Sequence, residues 1–226
     1  MRRRHIWVVI AAYNEVGVIA RVVGEVRRCG YTVLLIDDGS TDATAATAEK
    51  AGAVVIHHPV NLGQGAALQT GIEYALREGA DVIVTFDADG QHRVADIDVL
   101  IDAMAKHNAD FVFGSRVLGG AINLPPTRRL LLKAATLFTR ITSGLSVTDT
   151  HNGLRAMTPR GARAIRLRQN RMAHASEFLN QVSASKLKYI EAPVTIEYSA
   201  YSLAKGQKLG NSLSILVDLS AQSLHR

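Results

Sequence analysis

One alternation narrows the possible folds more than any other feature of this chain. Apolar runs rich in Val and Ile are separated by segments with helical spacing. The runs are 6–12 (IWVVIAA), 32–36 (TVLLI), 53–57 (AVVIH), 81–86 (DVIVTF) and 110–114 (DFVFG); the helical segments are 15–28, 42–51, 64–78 and 94–107. Near-continuous apolar strands are buried on both faces and therefore belong to a mostly parallel sheet with helices on each side. The expected class is α/β, and in such sheets ligands sit at the carboxyl ends of the strands. Those ends are where the polar residues gather. The first run leads to Tyr13-Asn14-Glu15, the second to Asp37-Asp38-Gly39-Ser40, the third to Asn61-Leu62-Gly63, and the fourth to Asp87-Ala88-Asp89.

Beyond residue 115 the pattern changes. Residues 119–126 (GGAINLPP) read as a loop and 127–143 as a helix with a basic start and a wide apolar face. "SVTDTHNGLRAM" reads as a loop entering a strand, followed by helices near 159–168 and 175–185. "KLKYIEAPVTIEYS" alternates like one or two edge strands, and the tail, 206–226, reads as a helix.

The richest stretch is 86–92, FDADGQH. Hard carboxylate oxygens suit Mg²⁺ or Mn²⁺, and Mg²⁺ is commonly held by one or two carboxylates together with substrate phosphates. Asp87 and Asp89 are the candidate metal ligands, with Gln91 adding a neutral oxygen and Gly90 permitting the turn. His92 is a further candidate, weighed against a structural histidine. In LLIDDGSTDAT a capped helix start explains Ser40, Thr41 and Asp42 but not two consecutive acids. Asp37 and Asp38 are therefore candidates to accept hydrogen bonds from a ribose or a base. Gly63, just before a helix, marks a candidate anion site, although no Lys-Ser/Thr follows and the loop is not of the Walker type.

Composition bounds the partners. With 226 residues and 47% hydrophobic content the chain can form one sizeable domain. No stretch reaches the roughly 18–20 apolar residues of a membrane span. The basic start, MRRRHIWVVIAAYNE, lacks the apolar length and small-residue cleavage site of a signal peptide, and the single Cys29 fits a reducing compartment, so a cytoplasmic location is expected. A net charge of +6 favours anionic partners, but only 5% aromatic residues and no basic run interleaved with aromatics argue against nucleic acid.

Taken in order, VVIAAYNE, LLIDDGSTDAT, NLGQGAALQTGI, FDADGQH, GSR and DTHNGLRAM resemble the family 2 glycosyltransferases of the GT-A fold, nearest to the dolichyl- and polyprenyl-phosphate mannosyl- and glucosyltransferases. The resemblance implies a single GT-A domain over 1–226, with a nucleotide-sugar half (1–116) and an acceptor half (117–226). It implies inverting transfer of a hexose from a nucleoside-diphosphate sugar, of the GDP-mannose or UDP-glucose type, with Mg²⁺ or Mn²⁺. By the same resemblance Ala11, Tyr13, Glu15 and Asp37 hold the nucleoside, and Asp87, Asp89 and Gln91 hold the metal and diphosphate. Arg116 lies near the transferred phosphate chemistry, and Lys205 falls where the look-alikes carry a lysine.

The acceptor is open between polyprenyl phosphate and a soluble glycan. A lipid phosphate is already an anion and needs no base, whereas a sugar hydroxyl needs a carboxylate to take its proton. Asp149 is the first candidate for that base and Glu177 the second. Against the family pattern, Ala11 and Arg93 stand in place of prolines, and Ser199 stands where the polyprenyl-phosphate enzymes carry an arginine. The helix 127–143 is expected to rest on a membrane surface or to pack in the core. In the first case Arg128, Arg129 and Lys133 would meet phosphates while Leu130, Leu131, Leu137 and Phe138 dip in, giving a peripheral protein on the inner face. The C-terminal helix is a second candidate contact with the membrane or a membrane protein. A homodimer is compatible with the sequence. A haloacid-dehalogenase-type phosphatase, which also uses Asp-x-Asp-Gly after a strand, and a non-catalytic nucleotide-sugar sensor are the rival readings.

Overall fold

The apolar runs become strands, each almost where the sequence puts it. The computed structural model describes residues 5–125, 143–169, 173–199 and, singly, Leu132, Thr136, Leu137, Arg140 and Tyr201. Five strands come from the runs: β1 (Ile6–Ala12), β2 (Thr32–Asp37), β3 (Val54–His57), β4 (Val82–Asp87) and β5 (Phe111–Ile122). Two more follow, β6 (Arg155–Met157) and β7 (Tyr189–Glu197), and all seven form one sheet in the order β3-β2-β1-β4-β6-β5-β7. Between them lie α1 (Ile19–Arg28), α2 (Thr44–Lys50), α3 (Gln64–Arg77), α4 (Ala95–His107), α5 (Pro159–Arg163) and α6 (Ala173–Ser185).

Both sheet faces are buried, as continuous apolar strands require. On one face Val8, Ile10, Val84 and Phe86 pack with Ile19, Val22, Val23 and Val26 of α1 and with Ile97, Leu100 and Met104 of α4. The α1 residues fall at i, i+3, i+4 and i+7, a single apolar stripe. On the other face Val9, Leu34, Ile36 and Ile83 pack with Ile72 of α3 and Phe178 and Leu179 of α6.

Three elements differ from the sequence reading. Residues 119–122, read as loop, are the outer half of β5, because β7 supplies a partner: Gly120, Ala121 and Ile122 pair with Thr195, Ile196 and Glu197. The helix expected to 168 stops at Arg163. Downstream, backbone N–H groups of Arg166 and Leu167 donate to the side-chain oxygens of Gln181 and Gln69, which replace the helical acceptors. Helix α1 begins at Ile19 instead of near 15. Most of 127–143, and all of 206–226, lie outside the described residues.

The order of strands creates the site. From β1 the chain moves outward through β2 to β3, then returns to the other side of β1 as β4. This reversal opens a crevice above β1 and β4, where α/β sheets bind ligands. Strand β1 ends there on two small residues, Ala11 paired with Asp87 and Ala12 paired with Asp37. Alanines flanked by acids leave room for something polar to lie across the strand end.

Candidate active site

On the β2 side, the two consecutive acids do different jobs. Asp38 is buried, and its oxygens accept from the N–H groups of Leu62 (2.9 Å) and Gly63 (2.7 Å) and lie 2.8 Å from His58 Nδ1. It thereby holds the β3–α3 loop and fixes the position of Gly63 and the start of α3. Asp37 is buried with longer contacts, 3.3 Å to the Ser40 N–H and 3.4 Å to His57 Nδ1, and its carboxylate is the freer of the two. Glu15 is buried, its N–H donates to Thr44 Oγ1 (2.8 Å), and its Oε2 accepts from the Tyr201 hydroxyl (2.8 Å). Burial and that bond to Glu15 push the Tyr201 phenol up to about 12. Tyr13 stands exposed at the end of β1, beside Ala11.

Above β4, Asp87 is held from three directions. His92 Nε2 lies 2.8 Å from Oδ2, the Gln64 amide reaches Oδ1 at 3.4 Å, and Gly153 backs directly onto the carboxylate. A Cβ at 153 would fall 2.2 Å from both oxygens, so any other residue there would push Asp87 out of place. Burial opposes the charge of Asp87, but the His92 hydrogen bond and the charges of His92, Arg155 and His174 outweigh it and hold the group ionised below its usual range. Asp89 lacks such support. Its one hydrogen-bond partner among the described residues is the Gln91 N–H, at 3.0 Å. Burial, and then the charge of Asp87, push it up to about 6.

Two crowded carboxylates, one carrying a raised pKa, form a donor set short of positive charge. Among the described residues no group of three or more His, Cys, Asp or Glu gathers around a common point, so an ion here would take its remaining ligands from elsewhere. That matches Mg²⁺ or Mn²⁺ shared with diphosphate oxygens and water. His92, considered in the sequence as a ligand, stacks edge-on to Phe86 and orients Asp87.

The pKa of Asp89 sets a pH dependence with a definite sign. Because the folded value lies above the ordinary 3.8, protonation favours the folded state; that stabilisation is complete below about 4 and is lost as pH rises through about 6. A cation needs the opposite form. The Mn²⁺-dependent gain in melting temperature, measured with UDP present, is expected to be large at pH 7.5 and to fall away below about pH 6.

On the β5 side, Arg116 is fixed as firmly. Its Nε–H donates to Asp149 Oδ2 (2.6 Å), one terminal nitrogen to the Tyr198 hydroxyl (2.6 Å) and the other to the His151 carbonyl (2.9 Å). Its backbone N–H also donates to Asp149 Oδ2 (3.0 Å). An arginine carries five side-chain N–H donors, of which three are engaged among the described residues. Beside it opens a cavity of about 540 Å³, lined among others by Asp149, Val117, Leu132, Leu137 and Arg140. Asp149 itself is buried, and Glu191 Oε1 accepts from the backbone N–H groups of Thr148 and Asp149, which fixes the loop.

Glu177, the second candidate base, accepts the N–H groups of Arg168 and Gln169 at 2.9 Å each and closes that loop. Gln91 stands next to Asp89, with its backbone carbonyl taking the Glu197 N–H. Lys205 lies outside the described residues.

Arg155 was not singled out in the sequence. It opens β6, is buried over the Phe178 ring at 4.6 Å, and donates through Nε to the Asn152 carbonyl (3.1 Å). Burial pulls it down to about 10, while the charges of Asp87 and Asp149 pull it back up. One buried cation thus serves the acids of both the β4 and β5 sides. Burial likewise lowers the nearby His151 to about 4; the charge of Asp149 opposes that fall, and those of Arg155, Arg116 and His174 add to it. A charged residue opening an apolar strand in HNGLRAM was the available signal.

Comparison with known proteins follows the same outline. The model of glycosyl transferase family 2 matches residues 7–166. The chain is 32% identical over 228 residues to a UDP-N-acetylglucosamine–dolichyl-phosphate N-acetylglucosaminyltransferase of Methanococcus voltae, covering 91% of each. It is 34% identical to an undecaprenyl-phosphate mannosyltransferase of Micrococcus luteus, covering 70% of this chain and 68% of that one. Among solved structures it superposes with a TM-score of 0.73 on glucosyl-3-phosphoglycerate synthase from Mycobacterium tuberculosis in complex with Mn²⁺, UDP and glucosyl-3-phosphoglycerate. That match covers 96% of this chain and 79% of the other at 20% identity, a likeness of fold.

Proposed function

This chain belongs to glycosyl transferase family 2 and has the GT-A fold, and on that premise we propose that it moves a hexose from a nucleoside-diphosphate sugar to polyprenyl phosphate, with inversion. The observation that carries the acceptor is Arg116. It is a guanidinium with two donors unengaged among the described residues, standing at the wall of a cavity that combines apolar side chains with a second arginine, Arg140. A phosphate on an isoprenoid tail presents that same combination of charge and grease.

The donor lies along the β1–β4 crevice, its nucleoside toward Asp37, Glu15, Tyr13 and Ala11 and its diphosphate toward Asp87, Asp89 and Gln91. A divalent ion, when bound there, neutralises the charge that develops on the departing diphosphate. Arg116 orients the acceptor phosphate so that one of its oxygens approaches the anomeric carbon from the side opposite the diphosphate. The new C–O bond forms as the old one breaks, giving the lipid phosphosugar and a nucleoside diphosphate with the anomeric configuration reversed. No proton needs to be removed, because the attacking oxygen is already anionic. The state of Asp149 supports this: its Oδ2 is engaged by Arg116, which suits a carboxylate that positions a cation better than one that accepts protons.

A soluble glycan is the second reading, favoured by Ser199 where the polyprenyl-phosphate enzymes carry an arginine, and it requires Asp149 to release Arg116. The family and fold replace the phosphatase alternative. No described helix is long and apolar enough to cross a membrane; a peripheral position on the inner membrane face is part of the proposal.

The test is a panel of radiolabelled UDP- and GDP-sugars with Mn²⁺ and polyprenyl phosphate. Label entering the organic phase is the expected result. Label entering only water-soluble glycan would overturn the lipid acceptor and leave the transferase reading intact.

A further inference from the structure

Strand β5 does not run straight to its end. Ser115 pairs with Pro193 and the next paired residue, Gly120, with Thr195, so residues 116–119 stand against the single residue Val194. The excess backbone loops out, and Ser115 shapes the loop: its Oγ accepts from the N–H groups of Val117 (3.2 Å) and Leu118 (3.3 Å). Gly119 closes it, since a Cβ there would lie 2.2 Å from the Val194 carbonyl oxygen. The outcome is a knuckle with opposed faces. Arg116 turns inward to Asp149, while Val117 and Leu118 are 66% and 52% exposed. Ile122, 42% exposed, follows on the same strand, and Leu137, 60% exposed, lines the same cavity as Val117.

From Val117 to Pro126 the chain carries no charged residue, in a protein where 20% of residues are charged. Scattered exposed apolar residues are ordinary, but here Val117 and Leu137 line the cavity itself, Leu118 adjoins Val117 in the knuckle and Ile122 follows on the same strand. Exposed apolar residues grouped beside a cavity mark an interaction surface. Charge chooses the occupant. The cavity beside the cluster holds Arg116 and Arg140, and the whole chain carries +6, which complements an anionic lipid surface.

We propose that the Val117–Leu118 knuckle, with Ile122 and Leu137, is a membrane-docking surface that inserts into the headgroup layer of an anionic bilayer, bringing the mouth of the Arg116 cavity against the lipid. This extends the lipid-acceptor reading, but its test uses neither nucleotide nor sugar. The purified protein is sedimented with phosphatidylglycerol vesicles and, separately, with phosphatidylcholine vesicles. The full chain is expected to bind the former and to bind the latter more weakly.

The double variant Leu118→Asp, Ile122→Asp should lower the vesicle partition coefficient by about tenfold or more, because two apolar contacts are lost and two like charges are added. Val60→Asp, which changes a comparably exposed apolar residue on the β3–α3 loop, should leave it unchanged. Both altered side chains of the double variant are exposed, and an unchanged melting temperature verifies that the fold is kept.

Equal vesicle binding by the double variant and the parent would overturn the proposal, as would a parent that binds neither vesicle. So would a parent that forms dimers which the double variant cannot form, since the surface would then face a second copy. The acceptor reading is judged separately, by transfer to a short-chain, water-soluble prenyl phosphate. If the double variant binds vesicles poorly yet transfers normally to that acceptor, docking and chemistry are separated as proposed. If vesicle binding behaves as expected but no prenyl phosphate is glycosylated, only the acceptor reading fails.

Discussion

Replacing Asp89 by asparagine is expected to lower kcat/KM for sugar transfer by about three orders of magnitude, which is about 4 kcal/mol of lost charge stabilisation on the departing diphosphate. The same change should leave the unliganded protein as stable as before, or more stable, at pH 8. Asp89 is the crowded member of the pair: burial and the neighbouring Asp87 raise its pKa, and its removal relieves a repulsion instead of breaking a bond network. Asp87 is the poorer probe. Its loss would also strip His92 and the buried Arg155 of an anion and disturb the fold. For Asp89→Asn the two readouts therefore separate. Melting with UDP should show no Mn²⁺-dependent gain, while melting without ligand should show no loss. A Mn²⁺-dependent shift that persists in the variant would remove the metal assignment.

The second large effect is at Arg116. Truncation to alanine would leave Asp149 charged and buried without its partner, an error of about 3–5 kcal/mol that tests the fold more than the function. Arg116→Lys keeps the charge but cannot reach Asp149, Tyr198 and the His151 carbonyl together. Transfer to polyprenyl phosphate is expected to fall by about two orders of magnitude, seen mainly as a raised KM for the lipid, with Mn²⁺–nucleotide melting shifts unchanged. Asp149→Asn completes the test. With an anionic acceptor only the support of Arg116 is weakened, and a loss of about tenfold follows; with a hydroxyl acceptor the base itself is gone and the loss should reach about a thousandfold. A loss of the larger size would return the acceptor to the sugar-hydroxyl class.

The acidic rim above β4 is written locally, and for that reason it can be read from the chain. Continuous Val and Ile runs specify doubly buried strands, and Asp87 ends its strand with Asp89 two residues on, so no long-range fact is needed to put them at the rim. The roles of the other residues depend on distant partners. Asp37 and Asp38 look alike in LLIDDGS, and only the return of the chain at Leu62 and Gly63 engages Asp38 and leaves Asp37 freer. Glu15 meets Tyr201 across 186 positions, and nothing near either announces the other. Arg155 joins the charges of Asp87 and Asp149 because β6 enters the sheet antiparallel between β4 and β5, a pairing that periodicity does not encode. The outer half of β5 carries Gly119-Gly120, which reads as a turn until β7 is placed beside it.

That inserted strand has a further consequence. Because β6 descends from the rim with Asp149, His151, Gly153 and Arg155 on or just before it, a single stretch of about ten residues braces both the Asp87 side and the Arg116 side of the crevice. Lengthening or shortening it by one residue would displace Asp87 and Arg116 together, so neither side could be retuned there alone. Retargeting the acceptor by protein engineering should leave 148–157 untouched and work from other residues lining the cavity, such as Leu124, Leu132, Leu137 and Arg140.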